Sequence, residues 1–332
     1  MSSKKPGSGN VIRYWTIWIV TISLLSVLFI KGVFSLMDKF NAWTGLGMGL
    51  LLYVLMAVMQ AKRSISPLRY PLFQTMDLGF EHQEVTFSSR DGLALSGWFV
   101  PGSMSAAGRN GATVVITHGL SGNRLSGTHA ARLLSKQGFA VLLYELRGHG
   151  RSQADINTWG WVEINDLLGA IDYLRSRPDV DPERIGALGY SLGGQISLRA
   201  AAQERWIKAV AAEGPTFAAL SDHILSSAFS LRKLVLYPWL WIMYNFQVLL
   251  TGVPQPLGVV KETPKIAPRP ILLIAAGRGE EYLMARRLFE VAGEPKELYH
   301  VPEASHLECS RARPEEYARK LVEFYMGTLG TS

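Results

Sequence analysis

Cysteine is almost missing from this chain, since Cys309 is the single one among 332 residues. That count excludes an intramolecular disulfide and agrees with a reducing compartment. No group of His, Cys and Asp residues has the spacing of metal ligands, and no glycine-rich phosphate-binding loop follows a predicted strand. The sequence therefore predicts neither a metal ion nor an organic cofactor.

Charge is also sparse, with charged residues making up 18% of the chain against 48% hydrophobic ones. The net charge of +7 suits an anionic membrane surface. The arginines are mostly scattered on predicted helix faces and form no basic cluster interleaved with aromatic residues, which argues against a nucleic-acid partner. The residues from about Ser64 onward are enough for one domain with a large hydrophobic core, and internal repeats and long low-complexity tracts are absent.

The most informative motif is Gly189-Tyr190-Ser191-Leu192-Gly193, which lies between a predicted strand and a predicted helix. Glycines two residues before and after a serine on such a turn let strand and helix pass closely while the serine backbone is strained. The helix N-terminus adds a positive field beside the serine hydroxyl. This context favours a catalytic nucleophile at Ser191 over a glycine-rich turn with an incidental serine.

A serine nucleophile needs a base to take its proton and an acid to orient that base. His306 is the candidate base, because it lies in a loop between the last predicted strand and the final helix. His300 is predicted to be held in that strand, and His223 falls within an insertion. His118 precedes the serine in the chain and is predicted to be a structural loop residue.

The candidate acid should follow the predicted strand of residues 271–274, where no aspartate is present. Glu280 and Glu281 therefore compete for the role. Stepping back four residues from the apolar Ala285 places Glu281 on the inward helix face and turns Glu280 toward solvent, which favours Glu281. The alternative is that both carboxylates only cap the helix N-terminus, where negative charge is favourable.

Two backbone N–H groups are predicted to stabilise an oxyanion. One belongs to Leu192, directly after the nucleophile, and the other to Leu120, in the loop after the strand of residues 113–117. Each is expected to be worth about 10²–10³ in turnover.

Three segments carry a resemblance to the α/β-hydrolases: His118-Gly119 after one strand, residues 144–152 after the next, and the turn at Ser191. The resemblance covers about residues 85–325 and is strongest to bacterial serine-aminopeptidase-like and dienelactone-hydrolase-like groups, which also resemble acyl-thioesterases and depalmitoylases. It implies the α/β-hydrolase fold and a serine triad, although a glutamate replaces the usual aspartate. It leaves the substrate open, because this fold also hosts lipases, peptidases and proteins without activity.

Apolar runs alternate with helical patterns after residue 64, which predicts a mostly parallel sheet with helices on both faces. Strands are predicted at residues 84–88, 95–99, 113–117, 141–144, 185–188, 209–212, 271–274 and 297–301, the first two as a hairpin. Helices are predicted at residues 128–137, 161–176, 192–203, 283–292 and 314–326.

Residues 1–63 are predicted to be a membrane anchor with two transmembrane helices, at residues 15–30 and 43–59. No small-x-small cleavage site follows the first run, which disfavours a signal peptide. Positive charges before the first span and after the second, including Lys62 and Arg63, slightly exceed those in the connecting loop. This predicts a multi-pass protein of the inner membrane with both termini and the catalytic domain in the cytoplasm.

A long insertion at about residues 217–264 interrupts the domain before the acid-bearing strand. Its residues 234–250 are apolar enough for a third span, but one crossing there would put Ser191 and His306 on opposite sides of the bilayer. The insertion is instead predicted to be a lid, with Trp239 and Trp241 lining an apolar acyl pocket. The alternative is a packed cap whose aromatic side chains fill core.

These expectations describe a membrane-anchored serine hydrolase whose hydrolase domain spans residues 64–332. Its substrate is expected to be a small-molecule or lipid-like ester or thioester with an apolar acyl group, cleaved through an acyl-enzyme. The alternatives are a serine peptidase of the aminopeptidase type and a non-catalytic binding protein that kept the Ser191 turn without a competent acid. The oligomeric state is left open.

Overall fold

The computed structural model describes residues 31, 42–66, 69, 80–102, 111–120, 122–154, 156–225 and 231–330. The chain divides into two compact units, Met1–Met56 and Ala57–Ser332. The predicted first span, residues 15–30, lies outside the described residues. The predicted second span lies within helix α1 (Ala42–Ser64), whose residues Trp43–Ser64 are long and apolar enough to cross a membrane.

Eight strands form the sheet of the second unit. They are β1 (Gln83–Ser88), β2 (Ala94–Val100), β3 (Thr113–Thr117), β4 (Ala140–Tyr144), β5 (Ile185–Tyr190), β6 (Ile207–Glu213), β7 (Ile271–Ala276) and β8 (Lys296–Val301). Their order in the sheet is β1-β2-β4-β3-β5-β6-β7-β8. β2 pairs antiparallel with β1 and β4, and the pairings that link β4, β3, β5, β6, β7 and β8 are parallel. The mostly parallel sheet that opens with a hairpin is confirmed.

The helices of this unit lie along the sheet and in the insertion. They are α2 (Thr128–Lys136), α3 (Ile164–Ser176), α4 (Leu192–Gln203), α5 (Leu220–Leu225), α6 (Leu231–Thr251), α7 (Val259–Glu262), α8 (Glu280–Val291), α9 (Cys309–Ala312) and α10 (Pro314–Leu329). The central strands are mostly apolar because the sheet is covered on both faces. In β3, Val114 and Ile116 belong to one hydrophobic core and Val115 to the other, as alternation along a strand requires.

Two helices begin at other residues than predicted. α3 begins at Ile164 rather than at residue 161, because the preceding residues form a turn in which the Glu163 carboxylate accepts hydrogen bonds from the Thr158 N–H and hydroxyl. α8 begins at Glu280 rather than at residue 283. Its first turn therefore contains both Glu280 and Glu281, where carboxylates interact favourably with the helix dipole.

The insertion forms a cap that a buried carboxylate ties together at its base. Asp222 accepts hydrogen bonds from the N–H groups of Ala218 and Ala219 on one side and of Val259 and Val260 on the other. Burial raises the pKa of Asp222, and these four bonds oppose that rise. The two ends of the cap, which connects the neighbouring strands β6 and β7, are thus held next to each other.

The cap helix α6 is the second helix that length and composition allow to cross a membrane, over Lys233–Thr251. Its Leu240, Met243 and Tyr244 are buried in one cluster with Trp161. The Gln247 side-chain amide also donates to the Thr158 carbonyl oxygen at 2.8 Å. These contacts make α6 part of the second unit, as the interpretation of this segment as a lid requires.

Candidate active site

Ser191 lies on a sharp turn between β5 and α4. Its backbone has φ +52° and ψ −113°, a conformation that non-glycine residues rarely adopt. A Cβ atom at Gly189 would lie 2.1 Å from the Gly193 carbonyl oxygen, and one at Gly193 would lie 2.2 Å from that of Thr117. The steric need for both glycines is therefore confirmed, and the strained turn holds Ser191 at the carboxyl edge of the sheet.

The structure brings Ser191, His306 and Glu281 together in one chain of hydrogen bonds. The His306 Nε2 atom lies 3.0 Å from the Ser191 Oγ atom, and the His306 Nδ1 atom lies 2.5 Å from a Glu281 carboxylate oxygen. The Nδ1–H donates to the carboxylate, so Nε2 is free to accept the serine proton. The other oxygen of Glu281 accepts from the Ala276 N–H at 2.7 Å, which fixes the carboxylate at the end of β7.

Glu280, the alternative acid, is exposed in the same helical turn, whereas Glu281 is partly buried. Ala285, one turn after Glu281, is fully buried, so the inward face of α8 is the one that carries Glu281. The hydrogen bond to His306 comes from Glu281.

The electrostatics of the site favour a protonated His306. The hydrogen bond to Glu281 raises the pKa of His306, burial opposes that rise, and the negative charges of Glu281 and Glu213 add to it. The imidazolium that forms when His306 takes a proton is therefore stabilised by two carboxylates. This arrangement is suited to general-base catalysis.

The predicted oxyanion residues Leu120 and Leu192 lie in the wall of one cavity with Ser191 and His306. The loop that carries Leu120 is held by two buried histidines. His149 Nε2 lies 2.6 Å from the Leu120 carbonyl oxygen, and His118 Nδ1 lies 2.7 Å from that of Gly119. His118 Nε2 also accepts the Leu146 N–H, and burial lowers the pKa of His118 to about 3. The neutral ring of His118 is thus part of the loop, in line with the structural role predicted for it.

Comparisons with known proteins agree with this fold. The family model of the α/β-hydrolase fold matches residues 112–250. An esterase of Pyrococcus furiosus, Pf2001, superposes with a TM-score of 0.61 at 23% identity, covering 80% of this chain and 99% of its own. The family model over residues 112–250 and the superposition together show that the chain has the α/β-hydrolase fold.

Two curated relatives extend the comparison of this hydrolase. The uncharacterized protein YfhR of Salmonella typhi is 27% identical over 237 residues, which is 70% of this chain and 77% of YfhR. The thiohydrolase aneE of Aspergillus aculeatus is 27% identical over 135 residues, which is 39% of this chain and 42% of aneE. The family and the thiohydrolase relative together support hydrolase activity.

The cavity beside Ser191 has a volume of about 550 Å³ and shares lining residues with a smaller cavity of about 240 Å³. Trp159 and Thr216 line both cavities. The smaller cavity lies under the cap, where Trp239, Leu240 and Met243 form part of its wall together with Phe217 and Tyr244. Its surface is mostly apolar.

The structure separates the two tryptophans that were expected to line one acyl pocket. Trp239 lines the cavity under the cap, but Trp241 is 58% exposed and lies outside it. The expectation for Trp241 is wrong, because residues two apart on a helix point to different sides.

Glu213 is a residue of this site that the sequence analysis missed. It ends β6, lines the catalytic cavity and is almost fully buried. Its backbone carbonyl accepts the Ser191 N–H at 2.8 Å, and its carboxylate accepts the Tyr317 hydroxyl at 2.8 Å. Burial raises the pKa of Glu213. Its place at the carboxyl end of a parallel strand, where α/β proteins bind ligands, was the available indication.

Within the described part of the chain, no group of three His, Cys, Asp or Glu side chains could hold a metal ion. Around Ser191, the Glu281 carboxylate is hydrogen-bonded to His306 and to the Ala276 N–H, and one oxygen of Glu213 accepts the Tyr317 hydroxyl.

Proposed function

We propose that this chain is a membrane-anchored serine hydrolase that cleaves an ester or thioester with an apolar acyl group. The observation that carries the proposal is the hydrogen-bond chain Ser191–His306–Glu281, with distances of 3.0 Å and 2.5 Å, on a strained turn beside a cavity. The three groups have the mutual geometry that nucleophilic acyl transfer needs.

The proposed reaction proceeds in two acyl-transfer steps. The Ser191 Oγ atom attacks the carbonyl carbon while His306 Nε2 takes its proton, and Glu281 stabilises the resulting imidazolium. The N–H groups of Leu120 and Leu192 stabilise the oxyanion. His306 then gives the proton to the departing alcohol or thiol, leaving the acyl group on Ser191. Water activated by His306 hydrolyses this acyl-enzyme and restores the free serine.

The class of acyl group is argued from the cavities. The space under the cap has a volume of about 240 Å³ and is walled by Trp239, Leu240, Met243 and other largely apolar side chains. An acyl chain that extends from Ser191 past Trp159 and Thr216 would reach it. Each buried methylene contributes about 0.8 kcal/mol. The esterase and thiohydrolase names among the similar proteins fit this ester or thioester chemistry.

The anchor is proposed to comprise residues 1–63 and the hydrolase domain residues 64–332, with the cap at about residues 217–264. Helix α1 supports it, since Trp43–Ser64 is long and apolar enough to span a bilayer and ends at the basic pair Lys62-Arg63. The spans at residues 15–30 and 43–59 would place both termini and the hydrolase domain in the cytoplasm.

Fluorophosphonate labelling of the full-length chain tests the proposal, because only an activated serine reacts quickly. The wild type should react with the probe and hydrolyse p-nitrophenyl esters. The Ser191→Ala variant should not be labelled, and its turnover should fall by about 10⁶. Its unfolding temperature should be unchanged. An unlabelled wild type would favour a binding protein without activity. A folded Ser191→Ala variant that keeps its turnover would contradict the choice of nucleophile.

A serine peptidase is the second candidate, favoured by the acidic Glu213 in the wall of the catalytic cavity. A carboxylate there would pair with a substrate amine. The raised pKa of Glu213 and its bond to Tyr317 weigh against that role, because both make it a poorer free anion. Assays with aminoacyl-p-nitroanilides beside the p-nitrophenyl esters distinguish the two candidates.

A further inference from the structure

The cap helix α6 has two apolar faces, and the rest of the second unit covers one of them. Leu240, Met243 and Tyr244 are buried against the unit. The other face carries the cap stripe, which we define as the exposed apolar residues Leu231, Leu234, Val235, Trp241, Leu249 and Leu250. These side chains are between 48% and 79% exposed. An apolar face of a helix is stable when it is covered by an apolar environment, so the exposed face of α6 calls for one as well.

The stripe is a continuous feature of the helix. Several of its residues are separated by three, four, seven or eight positions, as in Leu231 and Leu234 or Trp241 and Leu249, and the whole set spreads over about half of the helix circumference. Among the residues of α6 whose side chains are described, the exposed polar one is Asn245, and its amide donates to the Trp241 carbonyl oxygen at 2.7 Å. Part of the polarity on this side is therefore satisfied within the helix itself. Exposed apolar patches of this kind mark an interaction surface.

The end of helix α1 lies directly beside the cap. Ala61 is fully buried in the same cluster as Leu240, Met243 and Tyr244 of α6. Gln60 and Ser64 line the cavity under the cap together with Trp239. Asn157 fixes the residues that follow, since its N–H donates to the Ile65 carbonyl at 3.0 Å and its side-chain amide to that of Ser66 at 2.7 Å.

These contacts determine where the cap lies relative to a bilayer that contains α1. Lys62 and Arg63 are exposed in the last turn of α1, the position at which basic residues meet lipid headgroups. Since Ala61 in the same turn contacts the cap cluster, the cap is held at the level of the membrane surface. No linker therefore separates the cap from the point at which the described helix α1 would leave the bilayer.

We propose that the cap stripe is a lipid-docking surface, which inserts into the headgroup and acyl boundary of the bilayer that α1 enters. The inference rests on the proposed membrane anchor and goes beyond it, because an anchored domain can also keep its cap in water. Docked in this way, α6 has lipid on one side and the cavity under the cap on the other. An acyl substrate then passes from lipid to cavity around a single helix.

The test uses the full-length chain in vesicles of phosphatidylethanolamine and phosphatidylglycerol. Trp241→Cys is labelled with an environment-sensitive nitrobenzoxadiazole dye, and Met326→Cys, at an exposed apolar residue on α10, is the matched control. The native Cys309 is buried, so the wild type reports the background labelling. The dye at position 241 should emit at shorter wavelength, lose most of its emission to doxyl-labelled lipid, and resist aqueous iodide. The dye at position 326 should emit at longer wavelength, keep its emission in the presence of doxyl-labelled lipid, and be quenched by aqueous iodide.

Two readouts separate this inference from the anchor itself. Retention of the chain in vesicles after alkaline carbonate extraction reports the anchor, and the dye at position 241 reports the cap. A retained chain whose position 241 is quenched by iodide and not by lipid would overturn the docking surface and leave the anchor standing. Shielding from both quenchers, with disulfide crosslinking between two unlabelled copies of the Trp241→Cys variant, would assign the stripe to a second copy and also overturn it. A chain extracted by carbonate would overturn the anchor and the docking surface together.

An activity assay gives an independent check on the docking surface. Leu234→Asp combined with Leu249→Asp should lower hydrolysis of a long-chain ester dissolved in the vesicles and leave hydrolysis of water-soluble p-nitrophenyl acetate unchanged. Met326→Asp is the matched control and should change neither rate. Equal losses on both substrates would show a folding defect of the cap rather than lost docking, and an unchanged vesicle rate would contradict the proposal.

Discussion

At the scale of single residues, the carboxylate of Glu281 is held from two sides. One oxygen accepts the His306 Nδ1–H and the other accepts the Ala276 N–H at the end of β7. The imidazole is thereby kept in the tautomer that carries its proton on Nδ1, and the unprotonated Nε2 faces Ser191. Orientation of the base and stabilisation of its charge therefore depend on the same residue.

Replacing this carboxylate is expected to disable the proposed chemistry. Glu281→Gln should lower kcat for p-nitrophenyl esters by about 10³–10⁴, because an amide favours the wrong tautomer of His306 and carries no charge. The neighbouring Glu280→Gln is the matched control and should leave kcat unchanged, since Glu280 is exposed. A loss confined to Glu280→Gln would transfer the role to Glu280, and no loss in either variant would mean that another group orients the base.

The pH dependence of activity should report the two carboxylates near His306. The hydrogen bond with Glu281 raises the pKa of His306 from its ordinary value of about 6.5, so more of the ring is protonated at a given pH. A protonated ring accepts no proton, so kcat/KM should fall as the pH drops through this raised pKa and level off above it.

Glu213→Gln should shift this fall of kcat/KM, the acidic limb of the pH profile, to lower pH. The glutamine removes a negative charge that helps to raise the pKa of His306, and it can still accept the Tyr317 hydroxyl. The plateau of kcat/KM should be retained, because the described hydrogen bonds of Ser191 Oγ and His306 do not involve the Glu213 carboxylate. A limb that stays in place would show that Glu213 is uncharged where His306 titrates, and a limb at higher pH would contradict the electrostatic argument.

At the scale of secondary structure, α6 has different tasks on its two sides. Trp239 faces the cavity and Trp241 faces outward, although both lie in the same apolar run. For water-soluble p-nitrophenyl esters of two to about eight carbons, kcat/KM should rise with chain length until the cavity is full. Trp239→Ala should reduce this rise, and Trp241→Ala should leave it intact. Equal effects of the two substitutions would contradict the orientation of the helix.

The strands were predictable from sequence for a physical reason. β3, β4 and β7 are buried on both faces, so each is a mostly apolar run between loops that contain glycine or proline. The turn at Ser191 was predictable because only glycine fits at positions 189 and 193. The first residues of α3 and α8 were not predicted correctly, and at α3 the hydrogen bond between Glu163 and Thr158, which holds the preceding turn, is the reason. The contact of Glu213 with Tyr317 joins residues 104 positions apart, which no local pattern shows.

At the scale of the whole molecule, the active site and the proposed anchor constrain each other. Ser191 and His306 lie on either side of the cap in the sequence and meet at 3.0 Å, so the chain between them must begin and end on one side of any bilayer. Helix α6 packs on the same unit through Leu240 and Met243. The number of crossings before residue 64 therefore decides on which side the whole hydrolase domain lies.

Two crossings before residue 64 would place both termini on the same side, and the flanking charges favour the cytoplasm. A reporter active only in the cytoplasm, fused after Ser332, should therefore give signal, and one active only in the periplasm should not. In intact cells the loop around Asp38, which lies outside the described residues, should react with an impermeant label once it carries a cysteine. A cysteine at position 286, where Arg286 is exposed on α8, is the matched control and should react only after the cells are opened. Because α1 ends against the cap, periplasmic signal from the fusion would reverse the side of the hydrolase domain while leaving the Ser191–His306–Glu281 geometry unchanged.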